Sequence, residues 1–128
     1  LGASQVIPRD ANLVSLFGQE YFDATVDIVG GAQFGEILNV LKRGGRYGVS
    51  GAISGPVVDL DLRTLYLKDL RLIGCTVLEP EVFANLVSYI ENGEIRPVVA
   101  ATYDLFDIVK AQEAFLTKQH VGKIVLSL

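Results

Sequence analysis

The stretch from Val26 to Ala52 constrains the fold most, because it contains a strand, a helix and a second strand joined by glycines. The β-branched residues of Val26–Val29 predict a strand buried on both faces of a parallel sheet, ending at Gly30–Gly31. The next apolar residues have helical spacing and form one stripe, made of Phe34, Ile37, Leu38 and Leu41. A second strand is expected from Tyr47 to Gly51. The pattern predicts a βαβ unit, which brings two parallel strands together through a helical crossover.

The end of this helix has its own signals. Lys42 and Arg43 are expected in the last turn, where cations meet the negative end of the helix dipole, and Gly44 is expected as the cap.

Strands and helices alternate along the rest of the chain. Further strands are expected around residues 6–7 and over 71–77, 97–103 and 122–128. Further helices are expected over 13–17, after Asp59 or Asp61, over 80–93, and after Asp104 or Asp107. This order predicts an α/β fold with a mostly parallel sheet and flanking helices.

Composition excludes several partners. The chain has 128 residues, half of them hydrophobic, and a net charge of −4, which argues against nucleic acid. No apolar stretch is long enough to span a membrane, and the N-terminus lacks the regions of a signal peptide. A single cysteine indicates a reducing, cytoplasmic compartment. The lack of methionine and the start at Leu1 suggest a piece of a longer protein.

Several segments resemble, in the right order, the medium-chain dehydrogenases/reductases, which include zinc-type alcohol dehydrogenases and quinone oxidoreductases. They read LGASQVIPR, VDIVGG, LKRGGRYGVSG, DLRTLYLKDLRLIGCT and, last, GKIVL. The resemblance implies a partial Rossmann-type sheet over residues 1–96. It also implies a C-terminal β-α-β return segment over 97–128, which would pack on a catalytic domain.

The family's glycine-rich turn, G-x-G-x-x-G, does not occur in this sequence. In a Rossmann site those glycines let the backbone approach the pyrophosphate. The resemblance therefore implies a fragment that lacks both the phosphate-binding turn and the catalytic domain. We expect such a chain alone to be inactive and to bind NAD or NADP weakly or not at all.

The resemblance also implies which residues lie near the cofactor. Main-chain groups at the carboxyl ends of the strands are expected to contact it, with a basic residue of the return segment near its phosphates. The cofactor-binding candidates are Gly30, Gly31, Ser50, Gly51, Ala52, Ile53, Val77, Leu78 and Lys123. An ordinary turn at Gly30–Gly31 and a solvated lysine at position 123 remain open alternatives.

No catalytic or metal-binding residue is assigned. Cys75 is expected to be a small buried residue of the core. His120 is the only histidine, so neither a zinc site nor a Ser/His/Asp set is expected. Glu79 and Glu81 are better explained as favourable charges at a helix start. Zinc is possible in the parent enzyme, although its ligands would lie outside this chain.

The function implied is hydride transfer between a nicotinamide cofactor and an alcohol, carbonyl, or quinone or enone substrate. The alternative is a free-standing, non-catalytic α/β module that binds a nucleotide or a protein; a flavodoxin-like domain is a third and weaker one. Strand 26–29 or strand 71–77 would leave an apolar sheet edge unpaired, so we expect a homo-oligomer such as a dimer.

Overall fold

The computed structural model describes residues 2–76 and 78–128. The chain forms two compact units, Leu1–Val77 and Leu78–Leu128. The first contains a three-stranded parallel sheet and the second a two-stranded parallel sheet, both with helices between the strands. The predicted α/β class is therefore confirmed. Among the described residues, no helix is long and apolar enough to cross a membrane.

The first unit begins with α1 (Leu13–Phe17), as the sequence predicts. The Asn12 side chain caps this helix by accepting a hydrogen bond from the Ser15 N–H at 2.7 Å. Glu36 accepts from the Leu13 N–H and from the Asn12 amide, both at 2.8 Å. The prediction of a strand around residues 6–7 is wrong, because these residues lie in irregular structure and Val6 is exposed.

The sheet of the first unit has the order β1-β2-β3, with all strands parallel. The strands are β1 (Phe22–Asp27), β2 (Leu41–Val49) and β3 (Arg71–Gly74). A 3-10 turn over Gly31–Gln33 and helix α2 (Phe34–Val40) connect the first two, and α3 (Leu62–Leu67) precedes the third. The sequence predicted both helices, and Asp61 is the cap of α3.

The core lies where α2 and α3 cover one face of this sheet. It consists of five buried side chains, Phe34, Leu38, Leu41, Tyr47 and Leu70. The rings of Phe34 and Tyr47 meet edge to face, with centroids 5.2 Å apart. Aromatic pairs in this geometry stabilise a core beyond their buried area.

Three expectations about this unit are wrong. The strand expected over 26–29 lies earlier, as β1, because the chain turns directly after Asp27. β1 is not buried on both faces: it is an edge strand among the described residues, and Val26 is 82% exposed. The α2 helix ends at Val40, so Leu41, Lys42 and Arg43 belong to β2, and Gly44 does not cap the helix.

A lysine distant in sequence takes the place of the expected cations at the end of α2. The Lys68 ammonium donates to the carbonyls of Leu38 and Asn39, each at 2.9 Å. These carbonyls lie in the last turn, where the helix leaves its acceptors unsatisfied.

The second unit contains α4 (Pro80–Glu91), β4 (Val99–Asp104), α5 (Ile108–Leu116) and β5 (Lys123–Ser127). A 3-10 turn over Leu105–Asp107 precedes α5. β4 pairs with β5 in parallel, which confirms the expected β-α-β return segment. The first unit ends at Val77, whereas the expected Rossmann part ends at residue 96. The packing of residues 97–128 on a catalytic domain stays a prediction.

Leu38→Ala tests the core of the first unit. Leu38 is 2% exposed, so the cavity left by truncation should lower the free energy of unfolding by about 2–5 kcal/mol. Leu67→Ala is the control, because Leu67 lies in a helix but is 56% exposed, and we expect a cost of about 1 kcal/mol or less. Urea unfolding measures both, and equal costs would contradict this assignment of the core.

Candidate functional site

The candidate site is the carboxyl edge of the first sheet. Parallel strands end at one edge, so the turn after β1 and the loop after β2 are neighbours. The Ser50 N–H donates to the Asp27 carbonyl at 3.0 Å, and the Ser54 N–H donates to the Val29 carbonyl at 2.8 Å. The structure therefore brings together six of the nine predicted cofactor-binding residues, Gly30, Gly31, Ser50, Gly51, Ala52 and Ile53.

Two glycines allow this close approach. At Gly30, φ is +64°, and a Cβ atom would lie 2.8 Å from the Gly55 carbonyl oxygen and 3.2 Å from the Ala52 Cα. A Cβ atom on Gly51 would lie 2.7 Å from the Ile28 carbonyl oxygen. The room that these glycines leave is filled by the chain's own loop, so they shape the edge rather than open it.

A buried carboxylate holds the turn after β1. Asp27 is 6% exposed. Its Oδ1 accepts hydrogen bonds from the N–H groups of Val29 and Gly30 at 2.7 and 2.9 Å. Its Oδ2 accepts a hydrogen bond from the Tyr47 hydroxyl at 2.7 Å. This side chain connects the last residue of β1 to its own turn and to Tyr47 near the carboxyl end of β2.

Burial and hydrogen bonding together determine the charge of this pair. Burial alone would raise the pKa of Asp27, but the hydrogen bonds from Tyr47, Gly30 and Val29 outweigh it, and the pKa lies below the usual 3.8. Burial, the hydrogen bond to Asp27 and its charge together raise the pKa of Tyr47 well above its usual value. Around neutral pH, Asp27 is thus an anion and Tyr47 a neutral donor.

The sequence analysis did not identify Asp27 or Tyr47 as site residues. A signal was present, since Asp27 is a charged residue within an apolar strand directly before a glycine pair. Such a residue requires partners when buried. The partner could not be read from the sequence, because Tyr47 is twenty residues away.

The other three predicted residues are not part of this edge as described. Val77 lies outside the described residues. Leu78 precedes α4, and Lys123 begins β5, where its N–H donates to the Val98 carbonyl at 2.8 Å. Both belong to the second unit, and their cofactor contacts stay a prediction.

The residues considered for other chemistry are dispersed. Cys75 follows β3 and is exposed, so the expectation that it is buried is wrong. Glu79 and Glu81 lie at the start of α4, as predicted. Within residues 2–76 and 78–128, no three His, Cys, Asp or Glu side chains are close enough to hold a metal ion.

The family of this chain follows from comparison with known proteins. The sequence pattern of the zinc-binding dehydrogenases matches residues 1–126. The chain belongs to this family. The resemblance to medium-chain dehydrogenases/reductases is thereby confirmed, and the relatives of known structure have Rossmann-type domains.

Similarity to individual relatives extends over most of the chain. It is 33% identical over 125 residues to a zinc-type alcohol dehydrogenase-like protein of Leptosphaeria maculans, covering 93% of this chain and 35% of that one. It is 34% identical over 111 residues to an acryloyl-coenzyme A reductase of Metallosphaera sedula, covering 85% and 33%. This chain thus spans about a third of the length of these relatives.

Two solved structures show the same fold. A thermostable alcohol dehydrogenase of Pyrobaculum aerophilum with bound cobalt and zinc has a TM-score of 0.76 at 33% identity, covering 99% of this chain and 37% of that one. A 2-octenoyl-CoA carboxylase reductase, in complex with NADP and 2-octenoyl-CoA, has a TM-score of 0.73 at 29% identity, covering 89% and 26%.

Tyr47→Phe tests the buried pair. Loss of the hydroxyl leaves Asp27 without one of its donors, and we expect the free energy of unfolding to fall by about 1.5–3 kcal/mol at neutral pH. Because the folded pKa of Asp27 is lowered, the stability this group contributes is present above its unfolded pKa and lost as pH falls through the folded value. The variant should lose less of its stability between neutral pH and about pH 2 than the parent chain does.

Asp27→Asn is the matched control for this acid dependence. The amide keeps the shape and the number of polar atoms but cannot titrate, so this part of the acid dependence should disappear. Urea unfolding across the pH range measures all three chains. An unchanged acid slope in both variants would show that Asp27 does not carry it.

Proposed function

We propose that this chain forms the nicotinamide-binding part of an NAD(P)-dependent oxidoreductase. The reaction is hydride transfer between the cofactor and an alcohol, carbonyl, or quinone or enone substrate. The observation that supports this most directly is the edge formed by the turn after β1 and the loop after β2, in a chain of the zinc-binding dehydrogenase family. Open parallel sheets bind their ligands outside this edge.

The free main-chain groups of the loop fit a nicotinamide. The N–H groups of Gly51, Ala52 and Ile53 make no hydrogen bond to another described residue. The Ile53 side chain is 87% exposed at this edge. A carboxamide needs main-chain donors and acceptors, and its ring needs an apolar surface. When bound, the cofactor supplies the hydride chemistry, and this loop orients it.

The turn after β1 fits the phosphates of the cofactor poorly. The N–H groups of Val29 and Gly30 are already used by the Asp27 carboxylate. A phosphate placed there would meet a fixed negative charge of the same sign. We therefore assign this turn to the ribose and nicotinamide half of the cofactor. Among the matched positions, Lys123 is the one candidate for a phosphate contact.

The groups that this chain does not supply are proposed to come from the remainder of a longer protein. The chain spans about a third of the length of its relatives. In the whole enzyme, that remainder would supply the phosphate-binding glycine turn, the catalytic groups and, where it is used, zinc. The choice between NAD and NADP and the identity of the substrate belong to it as well.

Titration with NADH tests the proposed binding loop. We expect perturbed amide NMR signals at Gly51–Ile53 and a dissociation constant of about 1 mM or weaker, because phosphate contacts are few. Gly51→Ala should abolish the perturbation, since the added Cβ would lie 2.7 Å from the Ile28 carbonyl and displace the loop.

Gly35→Ala is the control for this substitution, because a Cβ there would meet nothing within 4 Å. The chain alone should reduce neither ketones nor quinones. Binding in the low micromolar range, or zinc-dependent turnover, would contradict the proposed division of the site. Perturbations confined to other residues would favour the alternative of a non-catalytic module.

Self-association is a second property that we propose. β1 is an edge strand of the first sheet among the described residues, and both its Val26 and Ile28, directly after it, are exposed. β3 is the other edge. Unpaired strand edges with apolar side chains pair readily with another chain. We propose a homo-oligomer through 26–29 or through 71–77.

Val26→Lys tests the first of these edges. A charge on an edge strand opposes pairing, so the mass measured by light scattering should fall towards that of a monomer if 26–29 is the interface. Val57→Lys is the control, because Val57 is 88% exposed in a loop. If the Val26 variant keeps the oligomer, 71–77 becomes the interface. A monomeric parent chain over a wide concentration range would refute both.

A further inference from the structure

The opposite, amino-terminal edge of the first sheet holds a concentration of positive charge. A cavity of about 310 Å³ is lined there by Lys42, Arg43, Arg46, Arg71, Asp23 and the Gly44–Gly45 segment. The chain has 11 Lys and Arg residues and a net charge of −4. This cavity is lined by four cations and one carboxylate, so its local charge is positive although the net charge of the molecule is negative.

Two of these cations face each other across neighbouring strands. Arg46 of β2 and Arg71 of β3 are partners in the parallel register, so their side chains leave the sheet on the same face. Like charges directly opposite destabilise strand pairing. Neither guanidinium makes a hydrogen bond or an ion pair with another described residue. The structure thus keeps a repulsive pair that an anion would stabilise.

The other two cations are held in place at the wall of the cavity. The Lys42 ammonium contacts both carboxylate oxygens of Asp23, at 2.9 and 3.0 Å. The Arg43 guanidinium donates to the Leu67 carbonyl at the end of α3. Asp23 is thus already engaged, and it leaves Arg46 and Arg71 without compensation.

A neighbouring lysine, Lys68, is not part of this group of cations. Burial lowers the pKa of Lys68; the charge of Glu20 opposes this decrease, and the charge of Arg43 adds to it. Lys68 is occupied at the end of α2 and does not line the cavity.

We propose that this cavity binds a phosphate group, either free or carried by a small metabolite, between Arg46 and Arg71. Planar guanidinium groups donate in a fixed fork that matches phosphate oxygens, and the resulting charge-assisted bonds are about twice as strong as neutral ones. Phosphate is chosen over a carboxylate because two facing cations are best neutralised by a dianion. The site is separate from the loop proposed for nicotinamide, since that loop begins after Val49, roughly 10 Å from Arg46 along the strand.

The test is a titration of the chain with inorganic phosphate at constant ionic strength, with chloride as the replaced anion. Isothermal calorimetry and the chemical shifts of the arginine side chains measure binding. We expect saturable binding with a dissociation constant of about 5 mM or tighter. The double variant Arg46→Gln/Arg71→Gln should weaken it at least about tenfold.

The matched control is Arg63→Gln/Arg96→Gln, which removes the same charge from two exposed residues that do not line this cavity. It should bind phosphate as the parent chain does. Unfolding in urea checks that the cavity variant is folded, and we expect it to be at least as stable as the parent because a repulsion is removed. A separate titration with AMP and adenosine identifies the source of the phosphate. If the phosphate belongs to a metabolite, AMP should bind at least as tightly as inorganic phosphate and adenosine should not bind. If the ligand is free phosphate, inorganic phosphate should bind more tightly than AMP.

Three results would overturn the proposal. They are equal binding of phosphate by the cavity variant, an equal loss in the control variant, and an effect of chloride that matches that of phosphate. None of these outcomes depends on nicotinamide binding, because the probe is inorganic phosphate and the residues lie at the opposite edge of the sheet.

Discussion

The first unit depends on the buried carboxylate of Asp27. Removing a charge from water is costly unless each of its lone pairs finds a donor. Here the donors are two main-chain N–H groups of the following turn and the Tyr47 hydroxyl. The same tyrosine packs its ring on Phe34 at the start of α2. One side chain therefore fixes the end of β1, the register of β1 with β2 and the packing of the helix between them.

This carboxylate also decides what the carboxyl edge is able to bind. A turn whose N–H groups point to solvent attracts anions, but here the Val29 and Gly30 N–H groups are consumed by an internal anion. The glycines then allow the loop after β2 to pack closely on the turn. A Cβ atom on Gly30 would be too close to that loop, and one on Gly51 too close to Ile28. Donors remain free in the neighbouring loop after β2, at Gly51–Ile53, which suits a neutral amide group. The donors that this edge offers therefore depend on the buried carboxylate of Asp27.

The sequence predicted what local patterns and caps determine, which includes the five helices of the described residues and the alternation of helices with parallel strands. It predicted one mostly parallel sheet, whereas the described strands form two separate sheets. It did not predict features that depend on residues far apart. The end of α2 was placed too late because Leu41 continues the helical spacing, whereas its side chain is buried in the core as part of β2. Lys68 caps that helix from about thirty residues away. The hydrogen bond between Asp27 and Tyr47 required the register of two strands, which no single stretch encodes.

The two ends of the first sheet differ in charge, and the register explains how they stay apart. In parallel strands, residues at equal depth lie side by side, so Arg46 and Arg71 gather at the amino end while Asp27 and the glycines gather at the carboxyl end. The parallel order leaves Arg46 and Arg71 without a carboxylate partner, and three neutral donors satisfy Asp27. Neutral donors fix a turn without attracting phosphate, whereas uncompensated arginines favour an anion. The register therefore keeps the amide site proposed at the carboxyl edge apart from the phosphate site proposed at the amino edge.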